Sequence, residues 1–205
     1  MDKKNLGQGG FGVVKKGKLD VALKVVQNAR DYIHEVSVLA KLQSPFLIHM
    51  IGAYVDKDNY VIALEQLEQS LFEFFQSQKN QTITPIIEVQ CIQISKDIAF
   101  GLKYLHDNGI IHADLKSQNI LLTSVEKRAK ICDFGSSKLK SLTSTTMAGP
   151  QIAGTIGYKA YELQEKGAKT TKVSDIFSLG IVLWEVQSFQ IPFEDCNSEL
   201  QIMKE

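Results

Sequence analysis

Hydrophobic residues recur along this chain at two spacings, which predict where its strands and helices lie. Residues 6–26 and 46–67 carry apolar side chains that alternate or run together between glycines and polar turns, a pattern typical of β-strands. Residues 86–106 repeat apolar side chains every three or four positions after Thr84-Pro85, which predicts a long helix with a defined start. A shorter helical repeat covers residues 30–43. The apolar face predicted for the long helix comprises Ile87, Cys91, Ile94, Ile98, Leu102 and Leu105.

Three shorter apolar runs follow the long helix and are separated by polar residues. Ile110-Ile111, Ile120–Leu122 and Ala129–Cys132 are each long enough only for a small buried strand. The polar groups beside them are two carboxylates, an ammonium and an amide, from Asp114, Asp133, Lys116 and Asn119. Loops held by buried strands commonly carry functional residues. This set of groups suits an oxygen-preferring cation such as Mg²⁺ together with an anionic substrate.

Composition narrows the class of protein. The chain has 205 residues, of which 44% are hydrophobic, enough to bury the core of one domain or two small lobes. Its formal net charge is zero, so nothing suggests a nucleic-acid or membrane-surface partner. The cysteines at positions 91, 132 and 196 form no CxxC motif, which favours a reducing compartment over disulfides or a zinc site. The first residues lack the apolar core of a signal peptide, and we expect a cytoplasmic protein.

Glycines at positions 7, 9 and 12 form a GxGxxG pattern that allows the backbone to approach phosphates closely. The pattern alone is weak, because dinucleotide-binding folds share it. That alternative needs a strand before the glycines and a helix after them. Here little chain precedes Gly7, and Val13-Val14 followed by Gly17 predict a strand and a turn, although Asp31 sits near the spacing of a ribose-binding acid. A β-hairpin over phosphates is the better interpretation.

Four motifs together resemble those of protein kinases. They are the glycine-rich GxGxxGxV at 7–14, Val21-Ala-Leu-Lys24, the segment from His112 to Asn119, and Asp133-Phe-Gly135. Lysine two residues after Asp114 is the serine/threonine pattern, and the wider resemblance is to the tyrosine-kinase-like group. The resemblance implies an α+β, two-lobed fold. Residues 1–67 would form a small β-rich N-lobe with one helix and the hinge, and residues 68–205 a mainly helical C-lobe lacking its last helices.

The resemblance implies a role for each polar residue of the central stretch. Asp114 would orient the substrate hydroxyl and accept its proton, and Lys116 would neutralise the γ-phosphoryl group during transfer. Asn119 and Asp133 would hold magnesium ions, and Thr155 would bond to Asp114 and Lys116. ATP and Mg²⁺ are thus the implied cofactors, and Ser/Thr hydroxyls of a protein the implied phosphoryl acceptors.

The resemblance also places Lys24 against the α- and β-phosphates, with Glu35 on the following helix as its candidate partner. Asp31, one turn earlier, is the rival partner. Only 11 residues separate Lys24 from Glu35, which is short for the family. We therefore expect a shortened loop, a helix without its first turn and a less firmly held ion pair.

The remaining nucleotide contacts are assigned by position. Leu64 would lie at the back of the adenine pocket, and Glu65 and Leu67 would offer backbone groups to the adenine edge. The full set assigned to the nucleotide is Leu6, Gly7, Gly9, Gly12, Val14, Ala22, Lys24, Leu64, Glu65, Leu67 and Leu121.

Two further residues receive structural roles from the resemblance. Asp175, on an apolar helix, would accept backbone N–H groups of the catalytic loop, since a buried carboxylate requires such partners. His112 would pack beneath Phe134. For Cys132 a buried filler is favoured over a reactive thiol, and His106 is expected only to end the long helix.

The sequence departs from the family at three places. Ala113 replaces an arginine that would clamp an activation-segment phosphate, which suggests that activity does not depend on phosphorylation there. Tyr161 replaces a proline, and the chain stops soon after Ile191-Pro-Phe193. The candidate phosphorylation sites are Ser141, Thr143, Ser144, Thr145 and Thr146.

We expect an uncovered apolar patch around Trp184, Val186 and Phe189, to be covered by a partner or a missing C-terminal segment. The alternative function is a catalytically weak pseudokinase scaffold, or an incomplete kinase fragment, that binds nucleotide or a partner.

Overall fold

The computed structural model describes residues 5–57, 59–78, 84–139, 156–164, 167–194 and 196. The first part of the chain is β-rich. Its elements are β1 (Asn5–Gly9), β2 (Gly12–Lys15), β3 (Val21–Val26), α1 (Ala29–Leu39), β4 (Met50–Asp56) and β5 (Asn59–Glu65).

Strands β1 and β2 form the antiparallel hairpin expected of the glycine-rich segment, with Gly9 opposite Gly12. Strands β3, β5 and β4 form a separate antiparallel sheet in that order. Helix α1 begins at the side-chain cap of Asn28, and its fully buried Val38 belongs to the same core as Ile62 of β5. The predicted β-rich lobe with a single helix is confirmed.

The second part is mainly helical. Its elements are β6 (Gln69–Ser70), α2 (Leu71–Gln78), α3 (Pro85–Asp107), β7 (Ile110–Ile111), β8 (Ile120–Leu122), β9 (Ala129–Ile131), β10 (Lys138–Leu139) and α4 (Lys172–Ser188), with short 3₁₀ turns at Ser117–Asn119, Ile156–Tyr158 and Tyr161–Gln164. Strands β6, β8 and β9 form one small sheet, and β10 pairs with β7. None of the helices described is long and apolar enough to cross a membrane.

Helix α3 is the core of this lobe, as its period predicts. The buried side chains on its inner face are Cys91, Ile94, Ile98, Leu102 and Leu105. Thr84 caps its first turn by accepting a hydrogen bond from the backbone N–H of Ile87. Helix α4 also has a reciprocal cap, formed by Thr171 and Ser174, which orders the turn that carries Asp175. The three short strands predicted after α3 are present as β7, β8 and β9.

The loop joining α1 to β4, residues 40–49, does not continue the N-lobe sheet as the apolar pattern suggested. Phe46 accepts a hydrogen bond from the N–H of Ile131 at 2.9 Å, and Ile48 donates one to the carbonyl of Ile131 at 2.9 Å. Leu47 and Ile131 are thereby bridged in parallel. The loop is therefore attached to β9 in the C-lobe. For this reason β4 begins at Met50, four residues later than the pattern suggested.

The predicted apolar patch at α4 is partly wrong. Val186 is fully buried in the core, and Phe189 packs edge-on against Phe75 with ring centroids 5.7 Å apart. Only Trp184 of the three is exposed, at 45%. The error arose because a strongly apolar helix gives no periodic signal to separate its inner face from its outer face.

We predict opposite effects for two glycine substitutions in helices. A Cβ on Gly101 of α3 would lie 3.0 Å from both the backbone oxygen of Phe46 and the Cδ1 of Ile131, whereas a Cβ on Gly180 of α4 meets nothing within 4 Å. Gly101→Ala should lower the free energy of unfolding by about 1–2 kcal/mol, because crowding outweighs the gain in helix propensity. Gly180→Ala should raise it by about 0.5–1 kcal/mol. Denaturant unfolding measures both; a stabilised Gly101→Ala variant would contradict the close packing.

Candidate active site

An ion network joins three elements around the ammonium of Lys24. Lys24 lies on β3, where its side chain points to the half-buried face of the strand, and Glu35 lies on the buried side of α1 at 3% exposure. The Lys24 Nζ atom is 2.7 Å from Glu35 Oε1 and 2.7 Å from Asp133 Oδ1. Helix α1 and the segment after β9 are therefore held to β3 by one cation.

The structure answers the question that the short spacing left open. Glu35 pairs with Lys24 despite the 11-residue interval. The rival Asp31 instead contributes to the helix cap, where its N–H and its carboxylate both bond to the side chain of Asn28. Helix α1 has 11 residues, so the ion pair forms on a short helix.

Charge sharing shifts the pKa of two members of the network. Burial alone would lower the pKa of Lys24, but its hydrogen bonds to Asp133 and Glu35 outweigh burial and raise this pKa above its ordinary value. Burial would likewise raise the pKa of Asp133, and the bond to Lys24 outweighs it and lowers this pKa. Both groups therefore stay charged at neutral pH, the state that phosphate and metal binding require.

The loop between β7 and β8, which carries the candidate catalytic residues, is held by the carboxylate of Asp175 at the start of α4. Asp175 Oδ2 accepts the backbone N–H of His112 at 2.8 Å, and its Oδ1 accepts that of Ala113 at 2.9 Å. Ala113 has φ 68°, a left-handed conformation that costs a residue with a Cβ about 1 kcal/mol. The bonds to Asp175 offset this cost, and the role predicted for Asp175 in accepting loop N–H groups matches this geometry.

His106 is a loop support that sequence reasoning missed. Its Nε2 lies 2.9 Å from Asp175 Oδ2, and its side chain is almost completely buried. The sequence placed His106 only at the end of α3, where it does lie. The 69-residue separation from Asp175 left no local signal for this contact.

The loop brings Asp114, Lys116 and Asn119 together. Lys116 Nζ lies 3.0 Å from Asp114 Oδ2. Asn119 Nδ2 donates to the carbonyl of Asp114 at 2.7 Å and to its Oδ2 at 3.2 Å. Because these bonds fix the amide, the Oδ1 of Asn119 is the atom left to meet a cation. Thr155 lies outside the described residues, as do the five candidate phosphorylation sites.

Asn119 and Asp133 are brought close by the backbone. The N–H of Cys132 donates to the carbonyl of Asn119 at 2.9 Å, and Asp133 is the next residue, with φ 61°. An amide oxygen and a carboxylate in adjacent segments match the ligand preference of magnesium, which also takes phosphate oxygens and water. The donor set therefore fits the metal that the sequence implies.

Buried side chains beneath the site hold it in place. The rings of His112 and Phe134 have centroids 5.5 Å apart, and both side chains are fully buried, as predicted. His112 Nε2 also lies 3.0 Å from the carbonyl of Cys132. Burial and the neighbouring Asp133 charge raise the pKa of the Cys132 thiol to about 12, which favours a packing role over a reactive thiolate.

The hinge residues lie at the end of β5. Leu64 pairs across the sheet with Ala22 of β3, so two residues assigned to the nucleotide are neighbours. The N–H of Glu65 donates to the carbonyl of His49 at 3.0 Å and is therefore already used within the protein. The Glu65 carboxylate also accepts from Lys130 Nζ at 2.6 Å.

Other assigned nucleotide residues lie in the hairpin and in β8. Leu6, Val14 and the three glycines are exposed on β1 and β2, as is Ala22 on β3. Leu67 and Leu121 are partly buried against the core. The apolar side chains assigned to the nucleotide are thus exposed on the hairpin and partly buried at Leu67 and Leu121.

A second buried acid lies under the loop. Glu185 of α4 is fully buried, and its Oε1 accepts the hydroxyls of Ser117 at 2.9 Å and Tyr158 at 2.8 Å. Within the described structure its Oε2 is buried and meets no hydrogen-bond partner. Burial therefore raises the pKa of Glu185 to about 7, with the two hydroxyl bonds opposing the shift.

Comparison with known proteins agrees with the class that this fold and site define. A family model described as the protein kinase domain matches residues 1–205, and the chain belongs to that family. It is 36% identical over 194 residues to probable serine/threonine-protein kinase PBL26 of Arabidopsis thaliana, covering 88% of this chain and 46% of the relative.

Two further relatives are longer than PBL26, so this chain covers a smaller share of each. Serine/threonine-protein kinase CTR1 of Arabidopsis thaliana is 31% identical, covering 95% of this chain and 25% of the relative. Mitogen-activated protein kinase kinase kinase 13-B of Xenopus laevis is 36% identical, covering 94% of this chain and 19% of the relative. The chain spans less than half the length of each. The predicted resemblance to serine/threonine-type kinase domains is confirmed.

The raised pKa of Glu185 predicts a specific pH dependence. The folded chain holds this proton more tightly than the unfolded chain, so the free energy of unfolding falls as pH rises from about 4.5 to about 7. Glu185→Gln is uncharged and has the size of the protonated side chain. Its free energy of unfolding should therefore match that of wild type at pH 5. At pH 8 it should be more stable than wild type by about 1–3 kcal/mol.

Chemical unfolding at the two pH values measures this difference. Glu88→Gln, an equivalent change at an exposed position of α3, is the control for general charge effects. A Glu185→Gln variant that is less stable than wild type at pH 8 would show that Glu185 works as a stabilising buried carboxylate.

Proposed function

We propose that this domain transfers the γ-phosphoryl group of ATP to Ser or Thr hydroxyls of proteins, with Mg²⁺ as cofactor. The single observation that supports this most strongly is the ammonium of Lys24, bonded at 2.7 Å to both Glu35 and Asp133. In this proposal the phosphate-binding cation lies beside the metal-binding carboxylate. Phosphoryl transfer relies mainly on alignment and charge neutralisation, and both groups supply them.

Bound Mg·ATP would supply the transferable phosphoryl group and part of the charge that stabilises its transfer. In this proposal Asn119 and Asp133 hold the metal by an amide and a carboxylate oxygen. Lys24 binds the α- and β-phosphates while Glu35 keeps it in place. The backbone carbonyl of Glu65 and the backbone groups of Leu67 bind the adenine edge.

Residues of the loop between β7 and β8 act on the hydroxyl group that accepts the phosphate. Asp114 orients the attacking hydroxyl and takes up its proton, and Lys116, 3.0 Å from Asp114, neutralises the moving phosphoryl group. The bonds of Asn119 to both Asp114 acceptors keep the carboxylate in a single orientation. Since Lys116 follows Asp114 by two residues and the relatives are named serine/threonine kinases, Ser and Thr are the proposed acceptors.

The proposed site also bears on regulation. Ala113 occupies the family's arginine position and offers no charged group, and its buried backbone is used by Asp175. The loop is thereby held without a phosphate. We therefore propose that activity does not require phosphorylation of the activation segment.

Phosphate transfer from labelled ATP to a mixture of acceptor proteins tests the function. Wild type should label Ser and Thr in the presence of Mg²⁺, and Asp114→Asn should reduce the rate about 100-fold or more. Asp107→Asn, which removes an exposed acid that forms an ion pair with Lys103 on α3, should leave the rate near wild type.

Two results would contradict the proposal. Binding of nucleotide without any phosphate transfer would favour the scaffold alternative, and label found on Tyr alone would contradict the assigned acceptor.

A further inference from the structure

Asp97, Gly101 and Tyr104 lie on one face of helix α3, at positions i, i+4 and i+7. This face packs against the loop at residues 40–49 and against the β8–β9 hairpin, which are both connected to the candidate site. Tyr104 accepts the backbone N–H of Gln43 through its hydroxyl at 3.1 Å, and Gly101 lies against Phe46 and Ile131. The third residue, Asp97, is a fully buried acid with no part in the proposed chemistry. Its position therefore needs another explanation.

Both carboxylate oxygens of Asp97 are fully bonded. Arg128 donates to Oδ2 through Nε at 2.7 Å and to Oδ1 through Nη2 at 2.8 Å. The backbone N–H of Ala129 donates to Oδ2 at 3.0 Å, and Gln93 Nε2 donates to Oδ1 at 2.8 Å. Two donors for each oxygen offset the cost of burying this charge. The planar fork of arginine also fixes the direction of the bond, which a lysine would not do.

Two partners of Asp97, Arg128 and Ala129, lie at the closed end of the hairpin formed by β8 and β9. Thr123 and Arg128 close this end with a backbone bond of 3.0 Å and a side-chain bond of 3.0 Å. The open end carries the two candidate metal ligands, since Asn119 comes directly before β8 and Asp133 follows β9 by two residues. Movement of the closed end on α3 would therefore displace both ligands.

The hairpin also carries the attachment of the loop at 40–49. Ile131 of β9 makes both backbone bonds to that loop, which leads back to α1 and Glu35. Of the three α3 residues on this face, Asp97 makes the charged contact. Tyr104 bonds to the loop, and Gly101 allows the loop to approach closely. Of the three, Asp97 is the residue that bonds to the hairpin backbone.

We infer that Asp97 is a positioning residue for the metal site. By holding Arg128 and Ala129 it fixes the β8–β9 hairpin on α3, and so fixes Asn119 and Asp133 relative to each other and to Lys24. The metal-binding part of this inference rests on the proposed function. The anchoring of the hairpin does not depend on it.

Hydrogen exchange of the ligand-free chain tests the anchoring. Asp97→Asn keeps the size of the side chain and one acceptor oxygen but removes the charge opposite Arg128. Arg128→Lys keeps the positive charge but removes the paired N–H donors of the guanidinium group. Both should speed amide exchange in residues 119–133 by about tenfold, with little change in α4. Cys91→Ala, which opens a cavity six residues earlier in the same helix without removing a partner of Asp97, is the matched control. Exchange that rises equally over the whole lobe in all three variants would contradict the inference.

Magnesium titration of nucleotide binding tests the effect on the site. Loss of an outer support usually weakens metal affinity by 10–100-fold, so Asp97→Asn should raise the Mg²⁺ concentration for half-maximal ATP binding by about tenfold. Cys91→Ala should leave it unchanged, and Arg128→Lys should fall between. A faster-exchanging hairpin with an unchanged Mg²⁺ requirement would overturn the positioning role. Absence of Mg²⁺-dependent binding in wild type would overturn the proposed function, while the exchange result would still decide the anchoring.

Discussion

The burial of Glu35 is the constraint on which the rest of the candidate site depends. An ionised carboxylate that is only 3% exposed needs a hydrogen-bonding or charged partner, because desolvation otherwise outweighs any gain from burial. Lys24 supplies that partner and shares its charge with Asp133. One requirement of physical chemistry therefore sets the position of α1 against β3, and of both against the segment after β9. A shift of α1 would leave the buried Glu35 without its partner. The position of α1 therefore keeps the Lys24 ammonium within bonding distance of Asp133.

Buried acids in the C-lobe have a similar role, because they link elements that are far apart in the sequence. Asp175 joins α4 to the catalytic loop, and Asp97 joins α3 to the β8–β9 hairpin. Glu185 joins α4 to the loop and to the turn at Ile156–Tyr158, but with one oxygen lacking a partner in the described structure. Each oxygen of the first two carboxylates accepts a hydrogen bond. Glu185 has one oxygen without a donor in the described structure, and its burial raises its pKa.

Much of the fold could be predicted because its elements obey local periods. The inner face of α3 and the three short strands were identified this way, and the family resemblance suggested Glu35, with Asp31 as rival, as the partner of Lys24. Contacts between distant residues gave no such signal. The Asp97–Arg128 pair spans 31 residues, and the attachment of residues 46–48 to Ile131 uses backbone groups that any side chain could accompany. The roles assigned to the site residues remain predictions, since geometry places the groups without showing their chemistry.

Thermal unfolding with and without Mg·ATP tests most directly whether these groups form a nucleotide site. A ligand that binds only the folded state must raise the melting temperature, by about 5 °C for a chain of this size near saturation. Wild type should show this rise only when Mg²⁺ is present, and Asp133→Asn should lose it. The same rise in both proteins, or none in wild type, would contradict the assignment of Lys24, Asn119 and Asp133 to a magnesium–nucleotide site.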